Sequence, residues 1–561
     1  MMAGSNRRNG GRVLIDQLRI HGVDTVFCVP GESFLAALDA FHDTPEIRLI
    51  TCRHEANAAN MAEAYGKMTG KPGIVFVTRG PGASHGVVGL HTALQDSTPV
   101  IMFIGQIGRD MAEREAFQEM DFRRFLSEVT KWTGQIDDVE RVPELVSHAF
   151  HTAMNGRPGP VALALPEDML MEMTDVSDAT RYRVAQGHPG PDDMAALRDL
   201  LAKAKAPLVM LGGGTWTPAA VADVTEWATA NKLPVTASFR CQDRFDNHHP
   251  CYVGEIGIGS NPKLIARLKA SDLLIVVGPR LGEQTTQGYT LVDLPKPAQT
   301  LVHVHPGAEE LGRVYQADLP IVASMPAFAA AAKRMEPVAS PAWAKATEEA
   351  RADYLANLEI TDTVGALDMA HVCRVLRDVL PKDTIITNDA GNHTGWAHRY
   401  LPFSTYPSQL GPTSGAMGYG VPAALAGAAA APDRLTVCFV GDGGMLMSGT
   451  EIATALQYDL KPIILVVNNG AYGTIRMHQE REFPGRTPGT DLKNPDFAAF
   501  AQSFGAYGEV VEENAQFADA FRRARESGRC AVLELRTELE AISSRATLSG
   551  IREASLARQK G

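Results

Sequence analysis

Val437-Cys438-Phe439-Val440-Gly441-Asp442-Gly443-Gly444 is the stretch that decides the fold. A short unbroken apolar run ending on glycines is the pattern of a strand buried on both faces of a parallel sheet. A helical stretch separates it from a second such run, Ile463 to Val467, which ends at Asn468-Asn469. Asp442 and Asn469 therefore leave the carboxyl ends of two strands and arrive at the same rim of one sheet, where ligands bind. The glycines flanking Asp442 let a phosphate approach the N–H groups of Gly443 and Gly444, and the helix that follows offers its positive end to the anion. Mg²⁺ takes oxygen ligands, only one or two of them from carboxylates. Asp442, the amide oxygen of Asn469 and a backbone carbonyl after it meet that requirement. An acidic residue in a glycine turn is a common loop feature; the Asn-Asn pair 27 residues after Asp442, across a helix and a strand, is what makes the pattern specific.

The same alternation extends outward. Apolar strands are expected at Thr25–Val29, Ile47–Cys52, Gly73–Thr78 and Val100–Ile104, after a helix at Val13–Ile20. A second block has strands at Leu208–Gly212, Leu273–Gly278 and Thr300–His305, with a helix at Trp216–Asn231. The third has Thr384–Thr387, Leu435–Val440 and Ile463–Asn468. Strands alternating with helices predict an α/β protein of three doubly wound parallel-sheet domains. Polar, Pro- and Gly-bearing stretches at Asp175–Asp192 and Glu336–Trp343 divide them. The domains are accordingly set at residues 11–180, 190–340 and 360–545, with a C-terminal tail or lid at 546–561. The outer two share a motif order. Gly80-Pro81-Gly82, Ala93-Leu94-Gln95 and Pro99-Val100-Ile101 parallel Gly441-Asp442-Gly443, Ala455-Leu456-Gln457 and Pro462-Ile463-Ile464, which points to a duplication.

Composition narrows the function. A chain of 561 residues, 45% hydrophobic and 21% charged, can bury several ordinary cores, and no apolar run approaches a bilayer span. A formal charge of −12 opposes nucleic acid as a partner. Met1–Arg12 lacks the apolar centre of a signal peptide and reads as a disordered lead-in. Seven scattered cysteines without a C-x-x-C pair fit reduced core thiols and a cytoplasmic protein.

The Asp442–Asn469 arrangement resembles the cofactor signature of the thiamine diphosphate (ThDP) enzymes of the acetolactate synthase and pyruvate decarboxylase superfamily. The resemblance covers nearly the whole chain. It implies a pyrimidine-binding domain, a central domain and a diphosphate-binding domain, in that order. It makes Asp442, Asn469 and the carbonyl of Ala471 the Mg²⁺ ligands, with Gly443, Gly444 and Tyr472 alongside the cofactor. Arg53-His54-Glu55 matches the family's R-H-E, whose glutamate hydrogen-bonds N1′ of the aminopyrimidine; read alone, a glutamate at a helix start is usually dipole compensation. Gly415-Ala416-Met417-Gly418 is similar to the synthases' G-A-M-G. By that likeness Met417 wedges between the two cofactor rings and Gly415 offers a carbonyl to the 4′-amino group. Asn392 and His393 match positions that contact the diphosphate.

For the substrate the resemblance implies a 2-oxo acid such as pyruvate, which loses CO₂ and is then joined to a second carbonyl compound. Ala116-Phe117-Gln118-Glu119 is similar to the synthases' A-F-Q-E, whose Phe and Gln reach a neighbouring subunit's active site, and Arg280 matches an arginine beside the substrate entrance. Phe117, Gln118 and Arg280 are thus the candidate substrate residues, with Glu32 and His478 as further ones. A site shared between subunits implies a homodimer or homotetramer. Departures from the pattern leave other outcomes open. Pro30-Gly31-Glu32 replaces a P-G-G turn, Arg79 replaces a small residue, and the synthases' acceptor-site tryptophan is missing after Asn469. A 2-oxo acid decarboxylase, an oxalyl-CoA-type lyase, an aldehyde carboligase and an inactive ThDP-binding regulatory paralogue are the alternatives. FAD is also left open: Leu211-Gly212-Gly213-Gly214 would take a nucleotide phosphate, but His303 and His305 stand where FAD-binding relatives carry aspartates.

Overall fold

Three six-stranded sheets, every neighbouring pair of strands parallel, carry the chain. The structure is a computed structural model that describes residues 7–361 and 364–560. It forms two compact units, residues 1–185 and 186–561.

The first unit holds one six-stranded sheet, from Thr25–Cys28, Arg48–Thr51, Gly73–Val77, Val100–Gln106, Trp132–Gln135 and Pro160–Pro166. Numbered along the chain, these strands lie side by side in the order 2-1-3-4-6-5. Val100–Gln106 and Pro160–Pro166 are buried along their whole length, as expected of strands covered by helices on both faces. Part of the expected lead-in is ordered. Arg8–Asn9 pairs with Met173–Thr174, and the first helix begins at Gly10 because the Asn9 side chain caps it through Arg12 N–H. Residues 1–6 of that lead-in lie outside the described residues.

The second unit holds two sheets. The central one runs 3-2-1-4-5-6, with strands at Pro207–Leu211, Val235–Ser238, Tyr252–Ile256, Leu273–Val277, Thr300–His305 and Leu319–Val322. This is the strand order of the dinucleotide-type doubly wound fold. Its second helix starts at Pro218 rather than Trp216, since Thr217 caps it and proline suits the first turn. Trp216 instead turns inward and donates to Gly212 O at 2.7 Å. Trp343, Tyr354 and Leu358 join the central core, so the helix Ala344–Asn357 packs there as well.

The last sheet has strands at Ile385–Asn388, Gln409–Leu410, Thr436–Gly441, Ile463–Asn468, Tyr507–Val511 and Ala531–Arg536. Its order is 2-1-3-4-6-5, the same as in the first unit. The repeated motifs therefore reflect two copies of one topology. Past Ser543 the chain forms a helix, Leu548–Lys560. Arg552 clamps the buried Glu480 through Nε at 2.7 Å and Nη2 at 2.5 Å, and Ser555 donates to Arg481 O. All seven cysteines are buried thiols. Among the described residues, no helix is long and apolar enough to cross a membrane.

Candidate active site

Thr436–Gly441 and Ile463–Asn468 are hydrogen-bonded neighbours, with Gly441 opposite Val467. Asp442 and Asn469 follow directly, and both line one cavity of about 280 Å³. Asp442 is buried, and burial pushes its carboxyl above the usual range against the pull of its donors. Those donors are Gly443 N–H to Oδ1 at 2.8 Å, with Gly470 N–H and Asn494 Nδ2 to Oδ2 at 2.9 and 2.8 Å. The amide oxygen of Asn469 accepts the N–H of Ala471 at 3.2 Å, folding this loop back over the strand end.

The glycines are required by how closely the chain packs here. A Cβ on Gly443 would stand 2.5 Å from the Tyr472 ring, and one on Gly444 would stand 1.9 Å from Asp389 Oδ2. That same oxygen accepts the N–H of Gly418 at 3.2 Å, which ties the Met417 turn to the floor of the cavity. Gly415 (φ +71°) and Gly418 (φ +78°) take left-handed conformations open to glycine at little cost. The buried His393 lies with Nε2 2.8 Å from Asp389, and Asn392 is pinned by Thr474 and by Ile542 O. Asn392, His393, Gly415, Met417, Gly443, Gly444, Ala471 and Tyr472 all line the cavity with Asp442 and Asn469. The structure thus brings together every sequence-predicted residue of this group.

Asn494 was missed by sequence reasoning. Its amide spans Asp442 Oδ2 and Asn468 Oδ1, fixing one strand tip against the other. Glu534 was missed too: buried on the adjacent strand, it accepts from Asn468 Nδ2 at 2.8 Å and from Phe497 N–H. Neither sits in a glycine turn, and only the strand order places Glu534 beside Asn468.

In the first unit, Glu55 opens the helix Glu55–Thr69, whose N-cap is His54, accepting Ala56 N–H through Nδ1. His85 Nδ1 lies 2.9 Å from Glu55 Oε2, and the rings of His54 and His85 stack at 4.6 Å. Glu55 Oε1 also lies 3.3 Å from where a Gly82 Cβ would stand, so the glutamate faces the Gly80-Pro81-Gly82 turn. Gln118, at φ +65°, takes Gly80 N–H on its carbonyl, while Phe117 is 72% exposed and Glu32 is exposed at its own turn. Arg79 is held by an ion pair with Glu167. In the second unit, His478 lines a larger cavity of about 790 Å³, which Arg280 does not reach.

The central glycine triplet is occupied by its own chain. A Cβ on Gly212 would meet Ser238 Oγ at 1.9 Å, and one on Gly213 would meet Gly278 O at 2.1 Å. His303, held neutral by burial with its pKa lowered to about 4, bonds Pro279 O, and His305 bonds Gly307. Close packing of the strand tips is what requires glycine at 212 and 213.

Comparison with known proteins agrees with this geometry. Residues 8–125, 194–332 and 389–535 match the N-terminal TPP binding, central and C-terminal TPP binding domains of thiamine pyrophosphate enzymes. The chain is 32% identical to an acetolactate synthase large subunit of Parasynechococcus marenigrum, over 90% of this chain and 84% of that one. It is 30% identical to the isozyme 2 large subunit of Escherichia coli, over 91% and 92%. A probable acetolactate synthase large subunit of Methanocaldococcus jannaschii is 29% identical, over 90% and 87%. A three-domain α/β chain with this rim belongs to the thiamine diphosphate-dependent enzymes of the acetolactate synthase family.

Proposed function

We propose that the protein is a ThDP- and Mg²⁺-dependent carboligase that decarboxylates a 2-oxo acid such as pyruvate and joins the remainder to a second carbonyl compound. The observation that carries this reading is the pairing of Asp442 and Asn469 at adjacent strand tips in one glycine-floored cavity. The Asp442 carboxylate is buried among neutral hydrogen-bond donors, an environment that suits a divalent cation. Asp442, Asn469 and the carbonyl of Ala471 would hold Mg²⁺. The N–H groups of Gly443 and Gly444, with Asn392 and His393, would face the diphosphate, and Tyr472 would close over it. Met417 would keep the cofactor rings bent together, and the Gly415 carbonyl would accept from the 4′-amino group.

When bound, ThDP supplies the electron sink that lets a 2-oxo acid lose CO₂. The chain supplies the proton handling. Glu55 exchanges a proton with N1′ of the pyrimidine, and His85 orients the carboxylate from 2.9 Å. By the same resemblance Gln118 and Phe117, from a neighbouring subunit, and Arg280, beside the substrate entrance, would favour ligation over protonation. The enzyme works as a cytoplasmic homodimer or homotetramer whose subunits share the site, and its domains span 11–180, 190–340 and 360–545.

The test is to incubate purified protein with ThDP, Mg²⁺ and a panel of 2-oxo acids, measuring CO₂ and the hydroxyketo acid product separately. Release of both from pyruvate supports the reading; neither, across the panel, overturns it. Glu55→Gln should retain ThDP and lose at least about a hundredfold in turnover. A regulatory paralogue would have no turnover to lose.

A further inference from the structure

The second unit contains a larger cavity, about 790 Å³, between its central and C-terminal sheets. It adjoins the candidate cofactor cavity, since Gly391, Asn392, Gly415 and Thr474 line both. Its charge is opposite to that of the molecule. The chain carries −12 overall, whereas Arg240, Arg399, Arg481 and Arg545 line this space against two carboxyls, Glu255 and Glu283. Glu255 lies deep in it, accepting Arg240 N–H at 2.7 Å, and burial pushes its carboxyl up to about 8, so it is largely uncharged at neutral pH. Burial also holds His398, lowered to about 3, and His478 in their neutral forms. The cavity therefore keeps a net positive charge.

Two of these cations form a built pair. Arg399 Nε donates to the backbone carbonyl of Asn357 at 3.0 Å, and Arg545 Nη2 donates to the side-chain oxygen of the same residue at 2.9 Å. Arg399 Nη1 also holds Ser544 O at 2.6 Å, next to Arg545, and Arg545 Nε reaches Gly259 O at 3.3 Å. Every one of these acceptors is neutral. The two guanidinium groups are brought together at Asn357, and burial together with the charge of Arg399 lowers the pKa of Arg545. Like charges held side by side by carbonyls cost energy that an anion between them returns. Arg399 Nη2 and Arg545 Nη1 take no part in these four bonds, so each fork keeps a donor for a carboxylate or phosphate oxygen.

We propose that this cavity binds a second anionic group, a carboxylate or a phosphate, at the far end of the substrate, and that Arg399 and Arg545 are its recognition pair. The inference rests on the adjoining cavity being the cofactor site, because the reacting end of the substrate has to lie there. It narrows the substrate from any 2-oxo acid, or its carbonyl acceptor, to one with an additional negative charge. Pyruvate would then be a poor surrogate for a larger dianion.

The experiment uses the holoenzyme. Glutarate and 3-phosphonopropionate are titrated calorimetrically, alongside butyrate as the singly charged control and FAD as the nucleotide control. ThDP affinity is measured separately on each protein. One or both dianions should bind more tightly than butyrate, and which one does distinguishes carboxylate from phosphate chemistry. Arg399→Gln with Arg545→Gln should weaken that binding by at least about tenfold, while Arg399→Lys with Arg545→Lys, which keeps the charge but loses the fork, should weaken it by less than the glutamine pair does. The ThDP affinity of both pairs should stay within about twofold of the unmodified enzyme, well under the tenfold that 1.4 kcal/mol represents. Failure of ThDP to bind the unmodified protein would refute the cofactor reading itself. Normal ThDP binding with no preference for either dianion, or with a preference that the glutamine pair leaves intact, would overturn the inference alone. FAD binding that is lost in the glutamine pair would also overturn it, by assigning the arginines to a nucleotide. Should the glutamine pair fail to fold, the exposed Arg545→Gln single variant decides by the same comparison.

Discussion

Replacing Gly444 by alanine asks whether the turn after Asp442 tolerates any side chain at all. The new Cβ would stand 1.9 Å from Asp389 Oδ2 and 3.3 Å from Val440 Cγ2. Carbon and oxygen need about 3.5 Å, so the carboxylate must withdraw by roughly 1.6 Å. Asp389 has no exposed surface to withdraw into, and its Oδ2 holds Gly418 N–H at 3.2 Å. Losing that bond leaves a buried N–H unsatisfied at about 1–3 kcal/mol, and the overpacked turn adds about 1–3 kcal/mol more. The cost appears in one of two places. If the free protein relaxes by shifting the Met417 turn, ThDP must restore it on binding, and 2 kcal/mol then weakens affinity by roughly thirtyfold. If it cannot relax, the same 2 kcal/mol lowers the thermal midpoint of the second unit by roughly 2–3 °C. A ThDP titration followed through the fluorescence of Trp396, which lines the cavity, is run beside a thermal scan. Gly282→Ala, whose Cβ meets nothing within 4 Å, is the control and should change neither readout. Unaltered affinity and midpoint in Gly444→Ala would show that the rim is not packed as described.

Three further changes probe separate parts of the molecule. Asn494→Ala removes the amide that spans Asp442 and Asn468, and should raise the Mg²⁺ concentration needed for half-maximal ThDP binding by about tenfold or more, measured by metal titration. His85→Ala removes the partner of Glu55 Oε2; steady-state assays should show turnover down by about 10–100-fold with ThDP affinity little changed, the worth of a hydrogen bond to a charged group. Arg552→Ala strips Glu480 of its clamp and leaves Gly485 N–H as its donor, which should cost about 1–3 kcal/mol in urea unfolding, less than a fully buried pair because Arg552 is partly exposed. The arginine holds Glu480 below the usual carboxylate range, so its contribution is complete above that range and fades as pH falls through the lowered value. The difference between the two proteins should therefore be present at neutral pH and shrink in acid.

What the sequence made legible was whatever a strand tip expresses locally. Gly441-Asp442-Gly443 and Asn468-Asn469 each end an apolar run, and the run itself says which rim they occupy. His54-Glu55 could be placed at a helix start for the same reason, although its chemistry came from resemblance. Residues whose role depends on neighbours across the sheet stayed hidden. Glu534 reads as one polar residue inside Ala531–Arg536, and only the adjacency of that strand to Ile463–Asn468 makes it a partner of Asn468. Arg399 and Arg545 are 146 positions apart and meet at Asn357, which no local pattern connects to either. The tail looked polar because its helix docks through a salt bridge, Arg552 to Glu480, rather than through an apolar stripe.

The two 2-1-3-4-6-5 sheets explain why the chemistry divides as it does. Duplication gives each copy the same rim, built where the first, third and fourth strands end. In the C-terminal copy the third strand ends in Gly-Asp-Gly and the fourth in Asn-Asn, so the oxygens of Asp442 and Asn469 gather at one cavity. In the N-terminal copy the third strand leads into Arg79-Gly80-Pro81-Gly82, where a proline stands in the place of Asp442 and offers no side-chain oxygen. Its acid comes from elsewhere: Glu55, after the second strand, leans towards that turn and is met by His85 from the helix that the turn begins. A scaffold used twice thus presents a carboxylate and amide oxygens at the rim of one copy and a glutamate paired with a histidine at the rim of the other. Replacing Gly82 by aspartate, whose Cβ would stand 3.3 Å from Glu55 Oε1, would set a carboxylate beside Glu55, and like-charge repulsion there should lower turnover in the steady-state assay while leaving ThDP affinity within about twofold.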